Sequence, residues 1–127
     1  MKRQEPTEDV EQTMLFRWAE MERNMYPELR MMFHVPNGGQ RNAIVAAKLK
    51  AQGVKPGVPD IVLPVARSGK HGLFIELKRE KSGTVSEKQK RWIAELQAEG
   101  YEACVCHGFD EAREKIIAYL YGGRQHG

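Results

Sequence analysis

Cysteine is scarce in this chain: two of 127 residues, Cys104 and Cys106. They stand two apart in a segment that reads as a strand, so their side chains point the same way. Neighbours at that spacing rarely form a structural bridge, and no other cysteine exists to pair with. The pattern fits a reducing, cytoplasmic compartment. Long apolar runs are missing too, and none approaches the ~18 residues that suggest a membrane span. The N-terminus, Met1-Lys2-Arg3-Gln4-Glu5-Pro6, leads into acidic residues rather than an apolar stretch, which argues against a secretory signal. There is no Walker-type glycine loop and no histidine pair at metal-binding spacing. Charge of one sign is not in large excess: 20 basic and 17 acidic residues leave a net +3. Such mild basicity permits nucleic-acid binding without demanding it. Repeats, linkers and low-complexity tracts are absent, and the length suits one domain over residues 1–127.

What is present reads as alternating helices and strands. Thr7 caps a first helix from about Glu8 to Arg23, with Val10, Met14, Leu15, Trp18 and Met21 at helical spacing. Met31 to Val35 reads as a strand that ends at Pro36-Asn37-Gly38-Gly39. Asn42 caps a second helix with Ile44, Val45 and Leu49 inward, and Gly53 stops it. Ile61 to Val65 and Leu73 to Lys78 form two strands joined by a hairpin-length connection. Ser86 and Gln89 make a capping box for a third helix through Trp92, Ile93 and Leu96. A strand over Tyr101 to Cys106 and a helix over Asp110 to Tyr121 follow, and the tail from Gly122 to Gly127 reads as frayed. The order is α-β-α-β-β-α-β-α.

The chemistry concentrates in two segments, Gly57-Val58-Pro59-Asp60 and Phe74-Ile75-Glu76-Leu77-Lys78. Glu76 and Lys78 are two apart on a strand and share a face. A carboxylate and an ammonium emerging from an otherwise apolar strand carry a desolvation penalty that a metal with a bound anion would offset. A hairpin brings Asp60 beside Glu76, and two converging carboxylates suit Mg²⁺, which prefers oxygen ligands and keeps several waters. The Leu77 carbonyl could add a ligand if the strand diverges from its neighbour there. Such a centre fits phosphodiester hydrolysis, with Lys78 orienting the water or stabilising charge on phosphorus.

Pro59-Asp60, a strand-length gap and Glu76-Leu77-Lys78 resemble the PD-(D/E)XK nuclease superfamily. The surrounding residues resemble its VRR-NUC branch, in particular the stand-alone, phage-type members. Glu11-Gln12, Pro36-Asn37-Gly38-Gly39, Gly57-Val58-Pro59-Asp60, and Ser86 with Gln89 and Trp92 carry that likeness over most of the chain. The resemblance implies a restriction-endonuclease-like α/β fold, a mixed sheet flanked by helices. It implies Mg²⁺ or Mn²⁺ as cofactor, cleavage of branched DNA such as flaps or four-way junctions, and a homodimer. It matches Glu11 to a first-helix glutamate near the metal, with Glu8 competing for that role, and Gln89 to a glutamine near the active site.

Each residue also has a plainer reading. Asp60 can be a turn aspartate, and Glu76 with Lys78 a surface ion pair. Glu11 can be a charge flanking a helix, and Gln89 has work enough in its capping box. Asn37, Gly38, Gly39, Gln40 and Arg41 could form a loop against a phosphate or a plain turn. Lys48, Lys50, Lys55, Arg79 and Lys81 are candidates for backbone contacts, Arg79 more than Lys81. The four histidines receive no chemistry, and Trp18 and Trp92 are read as packing. The rival functions are a non-catalytic branched-DNA-binding module and a small metal-dependent nucleotide phosphohydrolase.

Overall fold

A computed structural model describes residues 4–36 and 42–122. Helix α1 spans Glu8–Met21, and a 3₁₀ turn over Pro27–Met31 leads into β1 (Phe33–His34). Helix α2 (Ala43–Ala51) precedes β2 (Ile61–Leu63) and β3 (Leu73–Lys78). Helix α3 (Glu87–Ala98), β4 (Glu102–His107) and α4 (Phe109–Tyr121) complete the order. The strands form one mixed sheet in the order β1-β2-β3-β4, flanked by helices. β1 with β2 and β2 with β3 are antiparallel, while β3 and β4 are parallel. The expected α/β class, with a mixed sheet between helices, is therefore the observed one.

β3 has partners on both sides, and five of its six residues are buried. Its apolar content follows, because a central strand in a layered fold meets side chains on both faces. The core gathers Leu15, Ala19, Leu29, Ile61, Leu63, Leu73, Ile75, Leu77, Ile116 and Leu120. Trp18 and Tyr26 pack against it with ring centroids 6.3 Å apart, whereas Trp92 is only half-buried and stands outside that cluster.

Several helix faces differ from expectation. Val10, Met14 and Met21 of α1 are exposed, and the buried stripe is Glu11, Leu15 and Ala19, spaced by four. A glutamate occupies the innermost N-terminal position of that stripe, so apolar periodicity alone points to the wrong face. In α2 the expected inward residues Ile44 and Val45 are exposed, Ile44 at 82%, and only Leu49 is half-buried. The 3₁₀ turn takes up residues read as the start of the first strand, which shortens β1 to two residues. The thiols of Cys104 and Cys106 are free, with sulfurs 3.9 Å apart. Among the described residues no helix is long and apolar enough to cross a membrane.

Candidate active site

The site begins where β2 ends. Its ladder with β3 runs from Leu63↔Leu73 to Ile61↔Ile75 and stops there. One step further, the Asp60 side chain replaces the missing backbone partner: the Leu77 N–H donates to Asp60 Oδ1 at 2.9 Å. In an extended strand the N–H and C=O of one residue point to the same side. The Leu77 carbonyl therefore faces the gap left by β2. On its other edge β3 stays locked to β4, and the Gly108 N–H donates to the Lys78 carbonyl at 2.8 Å.

Glu76 and Lys78 share the opposite pleat and open into a cleft of about 470 Å³ lined also by Glu8, Asp9, Gln12, His34, Asp60 and Gln89. Lys78 Nζ is 3.6 Å from Glu76 Oε2 and 4.0 Å from Glu8 Oε1. Glu76 and Lys78 are 5% and 8% exposed, which separates them from a surface ion pair. Burial, then the Asp60 charge, pushes the Glu76 carboxyl up to about 8, with Lys78 pulling the other way. Burial also raises the Asp60 carboxyl, countered by the Leu77 N–H. Two carboxyls held above their ordinary range beside one lysine lack positive charge, which is what a divalent cation would supply.

Gln89 makes contacts on both sides, in the capping box and at the cleft. Its Oε1 accepts from the Ser86 N–H at 2.9 Å and its N–H donates to Ser86 Oγ at 3.1 Å, closing the capping box of α3. Its Nε2 then donates to Glu76 Oε2 at 3.2 Å. The cap sets the direction of the amide, and the amide orients Glu76.

Helix geometry separates the competing glutamates of α1. Glu8 and Gln12, four apart, face the cleft. Glu11 lies on the Leu15 stripe and is 4% exposed. Its Oε2 accepts the Phe109 N–H at 3.2 Å and so caps α4, whose N-cap Gly108 has no side chain to do so. Gly108 is at φ +90°, and a Cβ there would lie 2.6 Å from Glu11 Oε2. Burial raises the Glu11 carboxyl, against the Phe109 N–H. Of the two glutamates weighed for the metal, Glu8 lines the cleft, while Glu11 faces the start of α4 and joins two helices.

Other expected residues fall elsewhere. Lys48 is exposed on α2 and Lys55 lies in the loop beyond it, neither lining the cleft. Asn37, Gly38, Gly39 and Arg41 lie outside the described residues. His34 carried no expectation, yet it lines the cleft, and its Nδ1 is 2.9 Å from the Asp60 carbonyl. That carbonyl can only accept, so Nδ1 carries the proton. The signal was a register, His34↔Ile61, that a two-residue strand does not announce in sequence.

The donors can be tested against a cation. Among the described residues no three His, Cys, Asp or Glu side chains form a ready-made cage. Asp60 and Glu76 instead offer two carboxylates at an open cleft, with the Leu77 carbonyl on the strand edge beside Asp60, a donor set that suits a partly hydrated Mg²⁺ or Mn²⁺. The residues fit the ion.

The VRR-NUC domain model matches residues 7–110. The chain belongs to the VRR-NUC family. A solved structure described as a VRR_NUC domain protein is similar, at 34% identity and a TM-score of 0.80, covering 93% of this chain and 91% of the other. No curated protein sequence matches. The VRR-NUC domain makes this a nuclease-type protein with DNA as the implied partner, from a family whose members are generally metal-dependent.

Proposed function

We propose that this VRR-NUC domain is a Mg²⁺- or Mn²⁺-dependent deoxyribonuclease that hydrolyses phosphodiester bonds in branched DNA, four-way junctions or flaps. The observation that carries the reading is the side-chain bond from Asp60 to the Leu77 N–H. It brings the Asp60 side chain to the β3 segment that carries Glu76 and Lys78, which supports a shared centre.

Asp60 and Glu76, with the Leu77 carbonyl, would hold the cation. When bound, it polarises the phosphate and makes water a stronger nucleophile. Lys78 donates to the attacking water and to the phosphate oxygens as charge develops. Water adds at phosphorus and loses a proton, one ester P–O bond breaks, and the leaving oxygen takes up a proton from solvent, giving a phosphate end and a hydroxyl end. Gln89 keeps Glu76 aligned, and Glu8 takes part of the Lys78 charge at the rim.

Branched substrates and a homodimer rest on the family resemblance. A two-fold dimer matches the symmetry of a four-way junction. The exposed apolar side chains Ile44 and Val45 on α2 give a second copy something to bury. The basic residues Lys48, Lys50 and Lys55, with no acidic residue between Asn42 and Val58, suit a DNA backbone. The free thiols suit work in a reducing cytoplasm, that of a bacterial host if the gene is phage-borne.

The test is cleavage of labelled four-way junction, flap and linear duplex with Mg²⁺, Mn²⁺ or EDTA, comparing wild type with Glu76→Ala. Metal-dependent products absent from the variant, and favoured on branched DNA, are expected. Binding without cutting under every metal would replace the proposal with a non-catalytic DNA-binding module. Hydrolysis of free nucleotides but not DNA would replace it with a nucleotide phosphohydrolase.

A further inference from the structure

Beyond the cleft, the loop that follows β3 holds a carboxylate in the manner of an anion site. The Lys81 and Ser82 N–H groups both donate to Glu5 Oε2, the latter at 2.9 Å. Ser82 Oγ lies 2.6 Å from Glu5 Oε1, and Arg79 Nε 3.4 Å from the same oxygen. The Arg79 guanidinium also donates to the Glu5 and Pro6 carbonyls, at 3.1 and 3.2 Å. These donors hold the Glu5 carboxyl below its ordinary range, the Ser82 hydroxyl first and the Lys81 N–H next. Two successive backbone N–H groups, a hydroxyl and a guanidinium on one acceptor pair form a nest of the kind that binds oxyanions.

The nest adjoins the chemistry. Lys81 and Ser82 follow Lys78 by three and four residues, and the loop folds back on that lysine. A Cβ on Gly83 would meet Lys78 Cβ at 3.4 Å and Lys78 Cδ at 3.5 Å. Its occupant comes from the other flank: Glu5 precedes α1, whose Glu8 reaches Lys78 Nζ. The charges exchange evenly as well. Arg79 with a carboxylate is neutral, and Arg79 with a phosphodiester is neutral. Glu80, whose Cβ lies 3.3 Å from where a Cβ on Gly108 would stand, is the one acidic side chain within the loop.

We propose that the Arg79, Lys81 and Ser82 nest is a binding site for a DNA backbone phosphate beside the scissile one. In the free protein Glu5 occupies it as an internal stand-in, and Glu5 leaves it when DNA binds. The proposal deepens the nuclease reading and rests on it.

The experiment titrates wild type, Glu5→Ala, Glu5→Gln, Arg79→Ala and Glu5→Ala/Arg79→Ala with labelled four-way-junction DNA in Ca²⁺ by fluorescence anisotropy, at several salt concentrations. Removing the internal competitor should tighten binding on the order of 5–10-fold and steepen the salt dependence by about one phosphate contact. The Arg79 substitution should cancel both gains. In ¹H–¹⁵N spectra of Glu5→Ala, DNA should shift the Lys81 and Ser82 amides. Tighter binding with those amides unmoved would mean that only a repulsive charge was lost, and would overturn the site. Unchanged or weaker binding by both Glu5 variants would do the same. Shifts with inorganic phosphate but not with DNA would reassign the nest to free phosphate. Failure of every folded variant and of wild type to bind or cut DNA would remove the nuclease reading itself, and this site with it.

Discussion

Replacing Glu76 by glutamine should make the metal-free protein more stable while removing its activity. The Glu76 carboxyl is 5% exposed and faces the Asp60 charge, which with burial pushes it up to about 8 from 4.5. A folded-state value above the unfolded one means that the fold prefers the protonated form. The resulting penalty is absent below pH 4.5, grows between 4.5 and 8, and is constant above. At pH 7 it amounts to about 3 kcal/mol, taking 1.36 kcal/mol per pH unit. Glutamine carries no charge, keeps the shape and can still accept from Gln89 Nε2, and the attraction to Lys78 at 3.6 Å is already contained in the value of about 8. The gain should therefore be about 3 kcal/mol, or a Tm rise of roughly 9–15 °C for a domain of this size. Thermal melts in EDTA at pH 5, 6, 7 and 8 would read it, and the Tm gap should widen as pH rises. Millimolar Mg²⁺ should raise the Tm of wild type and not of Glu76→Gln. A gap that is absent, or that narrows towards pH 8, would falsify the account of Glu76 as a carboxylate short of a cation.

The other expectations concern single residues. Lys78→Ala should lower the cleavage rate by at least about 100-fold, with folding and DNA affinity largely kept; comparable cutting by a pure preparation removes the role given to Lys78. Glu8→Ala should weaken cleavage with little change in Tm. Glu11→Ala should instead destabilise by about 1–2 kcal/mol, because the Phe109 N–H loses its acceptor. Equal loss of activity without loss of stability in Glu11→Ala would return Glu11 to the catalytic site. Gly108→Ala should cost roughly 1–3 kcal/mol in denaturant melts, since the new methyl group strains a φ of +90° and meets Glu11 Oε2; an unchanged midpoint would contradict it.

The Asp60, Glu76 and Lys78 grouping was legible because a strand has a strict two-residue period and a hairpin aligns its ends. β3 has the bounds expected for it, Leu73–Lys78. The capping box at Ser86 and Gln89 was also legible, being a local pattern with a local cause. Helix faces were harder to read. Choosing between Glu8 and Glu11 depends on how α1 is rotated, and that rotation is matched to the bond of buried Glu11 with Phe109 at the start of α4, 98 residues away in sequence. His34 and the Glu5 nest were hidden for the same reason. Each depends on a partner far along the chain, Asp60 for one and residues 79–82 for the other. The exposed Ile44 shows the opposite limit, an apolar helical pattern with no core to receive it.

Glu5, Glu8 and Glu11 recur every three residues across the start of α1, and each is engaged by a different part of the protein: the loop after β3, the cleft lysine and the first turn of α4. The segment therefore works as a ruler read at three points. Inserting or deleting one residue between Glu5 and Glu11 would break the match even if every side chain were retained. Substitutions at exposed Thr13 or Arg17 should be absorbed, whereas the three glutamates need both their identity and their spacing.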